Sequence, residues 1–297
     1  MKFSLIPSSL LILAALGPLS AQTPSRDGVM EKLALVSADD PKTWSPAECT
    51  AEPSTSRVKT GSSSWHWHVT VDHFAGEAKY PIGWPRISHS FPAGTLRDWS
   101  AWDFFHAWIY VDTSRAALPK DAAGLGLHTP DRAGAYSRVL GELRKGEWVE
   151  INLPVSQIPR AHDVRQIQFH IAESNYRHGD TLDFYLNDLS LRRYAEPTLL
   201  TLSAGQSVVL SDVTRLSVQF ELAGVRPGER AKVNCELRDR ERVLAQISSD
   251  AERGVHRVAL ECGAKALAPG DYELQAGVAG RSAKLSVRVH VVESPWK

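Results

Sequence analysis

The chain has 297 residues, 43% of them hydrophobic, which is enough apolar mass to bury a sizeable core and a length that suits two domains better than one. Lys plus Arg number 34 and Asp plus Glu number 34, so no global field draws the protein to nucleic acid or to an anionic membrane surface. Both partner classes are disfavoured, and so is a disordered chain.

The N-terminus runs from Lys2 through the apolar stretch Leu10 to Leu16 to Leu19-Ser20-Ala21. Residues 1–21 read as a cleavable signal peptide, because the apolar run is well short of the ~20 residues that span a bilayer. No Cys stands at the cleavage point to carry a lipid. The expectation is a secreted or periplasmic protein without membrane insertion. Residues 22–56 are rich in Pro, Ser and Thr and read as an N-terminal linker. Within them a short amphipathic stretch, 29–36, forms either a helical turn or a first strand.

From Arg57 onward short alternating runs are separated by Gly, Pro, Asp and Ser clusters, the pattern of strands and turns. Strands are expected at 65–71, 82–91, 104–111, 124–128, 148–153, 167–171 and 182–192, with no long amphipathic helix. The stretch Leu96–Asp112, LRDWSAWDFFHAWIYVD, carries six aromatics. With Phe105, Ala107, Ile109 and Val111 turned to the core, a period of two turns Phe104, His106, Trp108 and Tyr110 to the other face. That outward row is expected to line an accessible trough; a strand buried on both faces would carry the same letters. Trp65 and Trp67 read as core residues, with His66 and His68 on the solvated side, and Trp148 reads as a packing residue.

Glu196-Pro197-Thr198 interrupts this series, and a second all-β set follows at 216–222, 231–237, 243–247, 255–262, 272–278 and 285–292. About 100 residues of such strands, 198–294, suit an immunoglobulin-like sandwich. Cys235 and Cys262 share the core-facing phase of their strands, and export permits disulfides. A Cys235–Cys262 disulfide is expected, with two buried free thiols as the alternative. Cys49 has no evident partner, and Tyr272 reads as a packing residue.

Three segments, YPIGWPRISHSF at 80–91, the run 96–112, and GEWVEINLPVSQIP followed by IQFHIAESNYRHGDTLDFYLNDLSL, together resemble carbohydrate-binding modules of the galactose-binding-like jelly-roll class. Such modules precede catalytic domains in secreted bacterial polysaccharide-degrading enzymes. The likeness covers about residues 57–195. It implies an all-β protein, a jelly-roll β-sandwich followed by the smaller immunoglobulin-like one, with a sugar site on a sheet face. It also implies a structural calcium at Asp188, although Asn187 stands where a second Asp is common; no other cofactor is expected.

Sugars offer hydroxyls and an apolar ring face, so they are met by flat aromatics and by planar or charged hydrogen-bonding groups. The candidate ligand-binding residues are Trp84, Arg86, His106, Trp108, Tyr110, His128, Gln168, His170 and Glu173. The expected partner is poly- or oligosaccharide, with a catalytic partner protein beside it. Arg86 has a plainer role open to it, pairing with Asp98 or Asp103. His170, Tyr176 and His178 match no metal-ligand spacing.

A hydrolase or lyase is the alternative to a non-catalytic binder, and Glu173 with Glu150 or Asp103 are the only carboxylates to nominate for it. No nucleophile elbow or HExxH motif is present. An adhesive envelope protein is the third reading. It predicts an exposed apolar patch instead of a polar face.

Overall fold

The computed structural model describes residues 29–37, 42–75, 82–263 and 267–296. The signal segment lies outside the described residues. The first eleven strands are β1 (Met30–Ala34), β2 (Ser45–Ala47), β3 (Thr50–Ser54), β4 (Ser64–Thr70), β5 (Arg86–Ser90), β6 (Phe104–Thr113), β7 (Gly124–Thr129), β8 (Arg132–Val139), β9 (Trp148–Pro154), β10 (Gln166–His170) and β11 (Thr181–Tyr194). They form two sheets. The first has the order β3-β4-β11-β6-β9 with β1 added to β11, and the second has the order β2-β5-β10-β7-β8.

Alternation fixes what lies between them. Trp65, Trp67 and Val69 of β4, Phe105, Ala107, Ile109 and Val111 of β6, and Phe184 and Leu186 of β11 are buried from the first sheet. Ile87, Leu125, Leu127, Ile167 and Phe169 meet them from the second in one continuous core. Each large side chain so buried stabilises the fold by roughly 2–3 kcal/mol before entropy is counted. Of the segment expected as a linker with a helical turn or first strand at 29–36, the described part carries that strand as β1 and two more as β2 and β3. β1 pairs with β11, β2 with β5 and β3 with β4, and Pro46 of β2 and Pro53 of β3 stand on edge strands, where a missing N–H is tolerated.

A second set follows: β12 (Thr198–Ala204), β13 (Val208–Leu210), β14 (Arg215–Ala223), β15 (Ala231–Asp239), β16 (Arg242–Ala251), β17 (Gly254–Glu261), β18 (Gly270–Val278) and β19 (Lys284–Val292). A three-stranded sheet β12-β14-β17 faces a five-stranded sheet β13-β19-β18-β15-β16 across a separate core running from Leu199 to Val291. The expected Cys235–Cys262 disulfide is not formed, and all three cysteines are free. Cys235 lies mid-strand in β15, buried, and burial pushes its thiol up to about 11. Cys262 follows the end of β17 in the opposite sheet and turns its Sγ to the carbonyl of Leu260. The shared phase puts both against the same core, Cys235 buried and Cys262 partly so.

Asp103 joins the two halves. Its buried carboxylate accepts the backbone N–H groups of Tyr194 at 2.9 Å and Gly224 at 3.0 Å. Gly224, at φ 72°, is required here because a Cβ would sit 2.1 Å from the carbonyl oxygen of Glu196. No helix among the described residues is long and apolar enough to cross a membrane.

Candidate functional site

The first sheet turns Phe104, His106, Trp108 and Tyr110 outward as their phase requires, but the row is not an open trough. His106 is fully buried and Tyr110 is 8% exposed. Lys59 places its Nζ 4.4 Å from the Trp108 ring centroid, and the Arg57 guanidinium lies 5.0 Å from that of Tyr110. The segment carrying both cations is held by Asn187, whose Oδ1 accepts Thr60 N–H at 2.9 Å and whose Nδ2 donates to Ser63 O at 2.8 Å. His106 and Tyr110 are therefore buried beside a basic cover, Trp108 is half-buried beneath Lys59, and Phe104 lines a cavity of about 180 Å³ with Glu150, Asn152 and Arg192 on the same face. Trp148, expected to pack, stands across from Tyr110 on this same outer face with ring centroids 5.6 Å apart.

The remaining candidates lie on the opposite side of the sandwich, which separates them from Trp108 by the whole core. On the second sheet Ile87, Phe169 and Leu125 point inward, so their neighbours Arg86, Gln168, His170 and His128 point outward. The register aligns Arg86 with His170 and Gly124, Ser88 with Gln168 and Gly126, and Gln166 with His128. Gly124 and Gly126 strip β7 of side chains here. The His170 imidazole lies across Gly124 so closely that a Cβ there would fall 2.3 Å from its Nε2.

Trp84, entering β5, covers the end of this row. Its indole is 44% exposed, tilts against His170 with centroids 4.8 Å apart, and carries the Arg86 guanidinium 5.5 Å from its centroid. Glu48 fixes the turn by accepting Trp84 N–H at 2.6 Å and lies 3.9 Å from Arg86. Arg86 thus pairs with Glu48 and not with Asp98 or Asp103. Gln168 donates from Nε2 to Ser88 Oγ at 3.1 Å. Burial lowers the imidazoles of both His128 and His170, the latter further by the charge of the former, which leaves Arg86 as the cation of this row. The Nδ1 of His170 is buried without a hydrogen-bond partner.

Glu173 is buried as well. It is 3% exposed, and its two oxygens accept Asp72 N–H and Gly83 N–H, each at 3.0 Å. The carboxylate is a clamp between two loops. With Asp103 spent between the halves and Glu150 on the first sheet opposite Trp108, the three nominated carboxylates share no site. Tyr176 is buried with its hydroxyl on Ala122 O, away from His170 and from His178 on its loop.

Asp188 does not fit a calcium ion. It sits at φ 54° in the bulge where β11 shifts register against β6. Its oxygens are already held by Lys32 Nζ at 2.5 Å and Arg192 Nη2 at 2.8 Å. Two cations fill the place where a divalent ion would need anionic oxygens.

A group that the sequence pattern left as solvated histidines is the closest cluster of metal-ligating atoms among the described residues. His66 Nε2 and His68 Nδ1 each lie 2.8 Å from one oxygen of Asp183. Only the pairing register of β4 with β11 puts Asp183 opposite His68. In the second half, a cavity of about 570 Å³ lined by Ser203, Gln206, Gln219 and Arg257 carries neither an aromatic ring nor a carboxylate.

No family model matches the chain, and no curated protein matches it. Among solved structures it is similar to a β-1,2-glucanase from Parabacteroides distasonis, with a TM-score of 0.39, 12% identity and 88% of this chain covered. It is also similar to an agarase, with a TM-score of 0.35, 10% identity and 54% covered. A third is a β-glucuronidase from Ruminococcus gnavus, with a TM-score of 0.25, 12% identity and 75% covered. The chain spans 38%, 24% and 37% of their respective lengths.

Proposed function

We propose that the protein is a secreted, non-catalytic binder of poly- or oligosaccharide and that its site is the outer face of the second sheet of the N-terminal β-sandwich. One observation carries this reading. The half-exposed indole of Trp84 stands at the end of a row of Arg86, Gln168, His170 and His128, over a strand bared by Gly124 and Gly126. A sugar ring stacks on such an indole, and its hydroxyls find donors and acceptors in planar side chains already fixed by neighbours. One stacked ring and three or four hydrogen bonds at ~1 kcal/mol each, about 4–5 kcal/mol together, correspond to affinity in the millimolar to submillimolar range. Affinity of that order serves a module that acts through repeated contacts on a polymer.

The engagement of Glu173 with two loop amides favours a binder over a hydrolase, which usually places two carboxyls about 5–9.5 Å apart across the bond it breaks. Affinity electrophoresis of the folded chain in gels cast with a panel of plant and algal polysaccharides tests the proposal. Retardation on at least one polymer is expected, together with its loss in Trp84→Ala. Unretarded migration on every polymer, or retardation that Trp84→Ala leaves intact, rejects this site.

A further inference from the structure

The first sheet holds a second group of functional atoms that is independent of the glycan face. Its origin lies in strand period and register. Trp65, Trp67 and Val69 turn β4 to the core, so His66 and His68 both project from the outer face. On one flank β11 brings Asp183 opposite His68, and on the other β3 brings Glu52 opposite His66. His66 lies flat on Tyr185, with centroids 4.7 Å apart and planes at 13°, which fixes the direction of its Nε2.

We propose that His66 Nε2, His68 Nδ1 and the carboxylate of Asp183 form a binding site for a divalent transition-metal ion of the zinc type. Three features support the assignment. First, the ligand atoms converge: both nitrogens reach the same Asp183 oxygen at 2.8 Å, and all lie within 4.8 Å of one another. Zinc with bonds of about 2.0–2.1 Å sets its ligands about 3.3 Å apart. The two hydrogen-bonded edges therefore open by about half an ångström to admit an ion, while the edge between the two nitrogens lies within 4.8 Å.

Second, the donor set selects the metal. Two imidazoles and one carboxylate suit zinc, copper or nickel, whereas calcium and magnesium call for oxygen shells.

Third, each histidine has an oxygen beyond its outer nitrogen. His68 Nε2 lies 3.2 Å from Thr70 Oγ1, and His66 Nδ1 lies 3.8 Å from Glu52 Oε1. When the ion takes the inner nitrogen of each ring, the proton carried there moves to the outer one, which meets Thr70 Oγ1 on His68 and faces the Glu52 carboxylate, beyond hydrogen-bond distance, on His66. The side chains of His66, His68 and Asp183 keep 20%, 37% and 34% exposure, so the ion is reached from solvent and completes its shell with water. It cross-links β4 to β11.

Isothermal titration of the chelator-treated full chain with zinc chloride tests this. A single saturable site per chain is expected. The double substitution His66→Gln, His68→Gln should raise the Kd at least about tenfold, while His178→Gln and Trp84→Ala leave it within about twofold. Far-UV circular dichroism checks that the double variant is folded. If it is not, Asp183→Asn, isosteric and without charge, carries the same expectation. Absence of saturable binding in the parent chain overturns the site, and so does unchanged affinity in the folded variant. Titration with cobalt chloride adds a spectroscopic reading, since nitrogen ligation gives visible absorption bands that must vanish with the same substitutions.

Discussion

The two outer faces of the N-terminal sandwich are built from the same kind of sequence and differ in how far their tryptophans are covered: Trp84 is 44% exposed, whereas Trp108 is half-buried beneath Lys59. β6 presents Trp108 and Tyr110; β5 and β10 present Arg86, Gln168 and His170. On the first sheet a loop pinned by Asn187 lays Lys59 and Arg57 on the rings. On the second, the neighbouring strand supplies Gly124 and Gly126, and the half-exposed Trp84 tilts against His170 beside the buried Gln168. An aromatic on an outward phase is thus a necessary condition for a sugar platform. Access is set by what the adjoining loop and strand place above and beside it.

The sharpest way to break this comparison is to truncate one tryptophan on each face. Trp108→Ala removes a half-buried ring and its cation contact and should destabilise the chain by about 2–3 kcal/mol, while polysaccharide retardation stays the same. Trp84→Ala should cost less than about 1 kcal/mol in stability and lower affinity about tenfold or more. Urea denaturation and affinity electrophoresis on both variants read the two effects. Retardation lost in Trp108→Ala with the fold intact would move the site to the first sheet.

A smaller change tests the floor of the open face. In Gly124→Ala the new methyl would lie 2.3 Å from Nε2 of His170, so the imidazole must swing away and disturb its contact with Trp84. The expected result is a several-fold weaker retardation with stability changed by about 1 kcal/mol or less. Gly126→Ala is the control, because its methyl would meet His128 at an ordinary 3.6 Å and should be close to neutral.

Strand phase was the legible part of this protein. Phe105, Ala107, Ile109 and Val111, like Trp65 and Trp67, are buried as alternation requires, because a period of two is a local property of the chain. Relations between strands were not legible. Trp108 and Gln168 both point outward, but from sheets packed back to back, and no feature of either segment reports the sheet it joins. The same gap bears on Cys235 and Cys262, which match in phase, lie on strands of different sheets and remain free thiols. It also explains His66, His68 and Asp183, brought together by the register of two strands over 100 residues apart in sequence. The edge strands β2 and β3 were hidden by Pro and Ser, which edge positions tolerate and central ones do not, whereas β1 falls within the 29–36 stretch that reads as a helical turn or a first strand.

The smallest expected effect distinguishes the faces by pH. His106 is fully buried, accepts no charge partner closer than Glu150 at 3.5 Å and Asp188 at 3.8 Å, and hydrogen-bonds through Nδ1 to Asn152 at 2.9 Å. Desolvation lowers its imidazole below the usual 6.5; the Asn152 bond, Asp188 and Glu150 pull the other way, and Arg192 adds to the lowering. The unfolded chain therefore takes up this proton first as the pH falls. The stability His106 contributes is complete above about pH 6.5 and is lost as the pH drops through the folded value, about 1.4 kcal/mol for each tenfold difference in proton affinity. In His106→Gln the loss of urea resistance between pH 7 and pH 5 should be shallower than in the parent chain. Because the residue lies under the covered face, polysaccharide affinity over the same range should be the same in both. A parallel pH slope in parent and variant would show that His106 carries none of the acid sensitivity. An affinity difference would show that the first sheet, for all its cover, reaches the ligand.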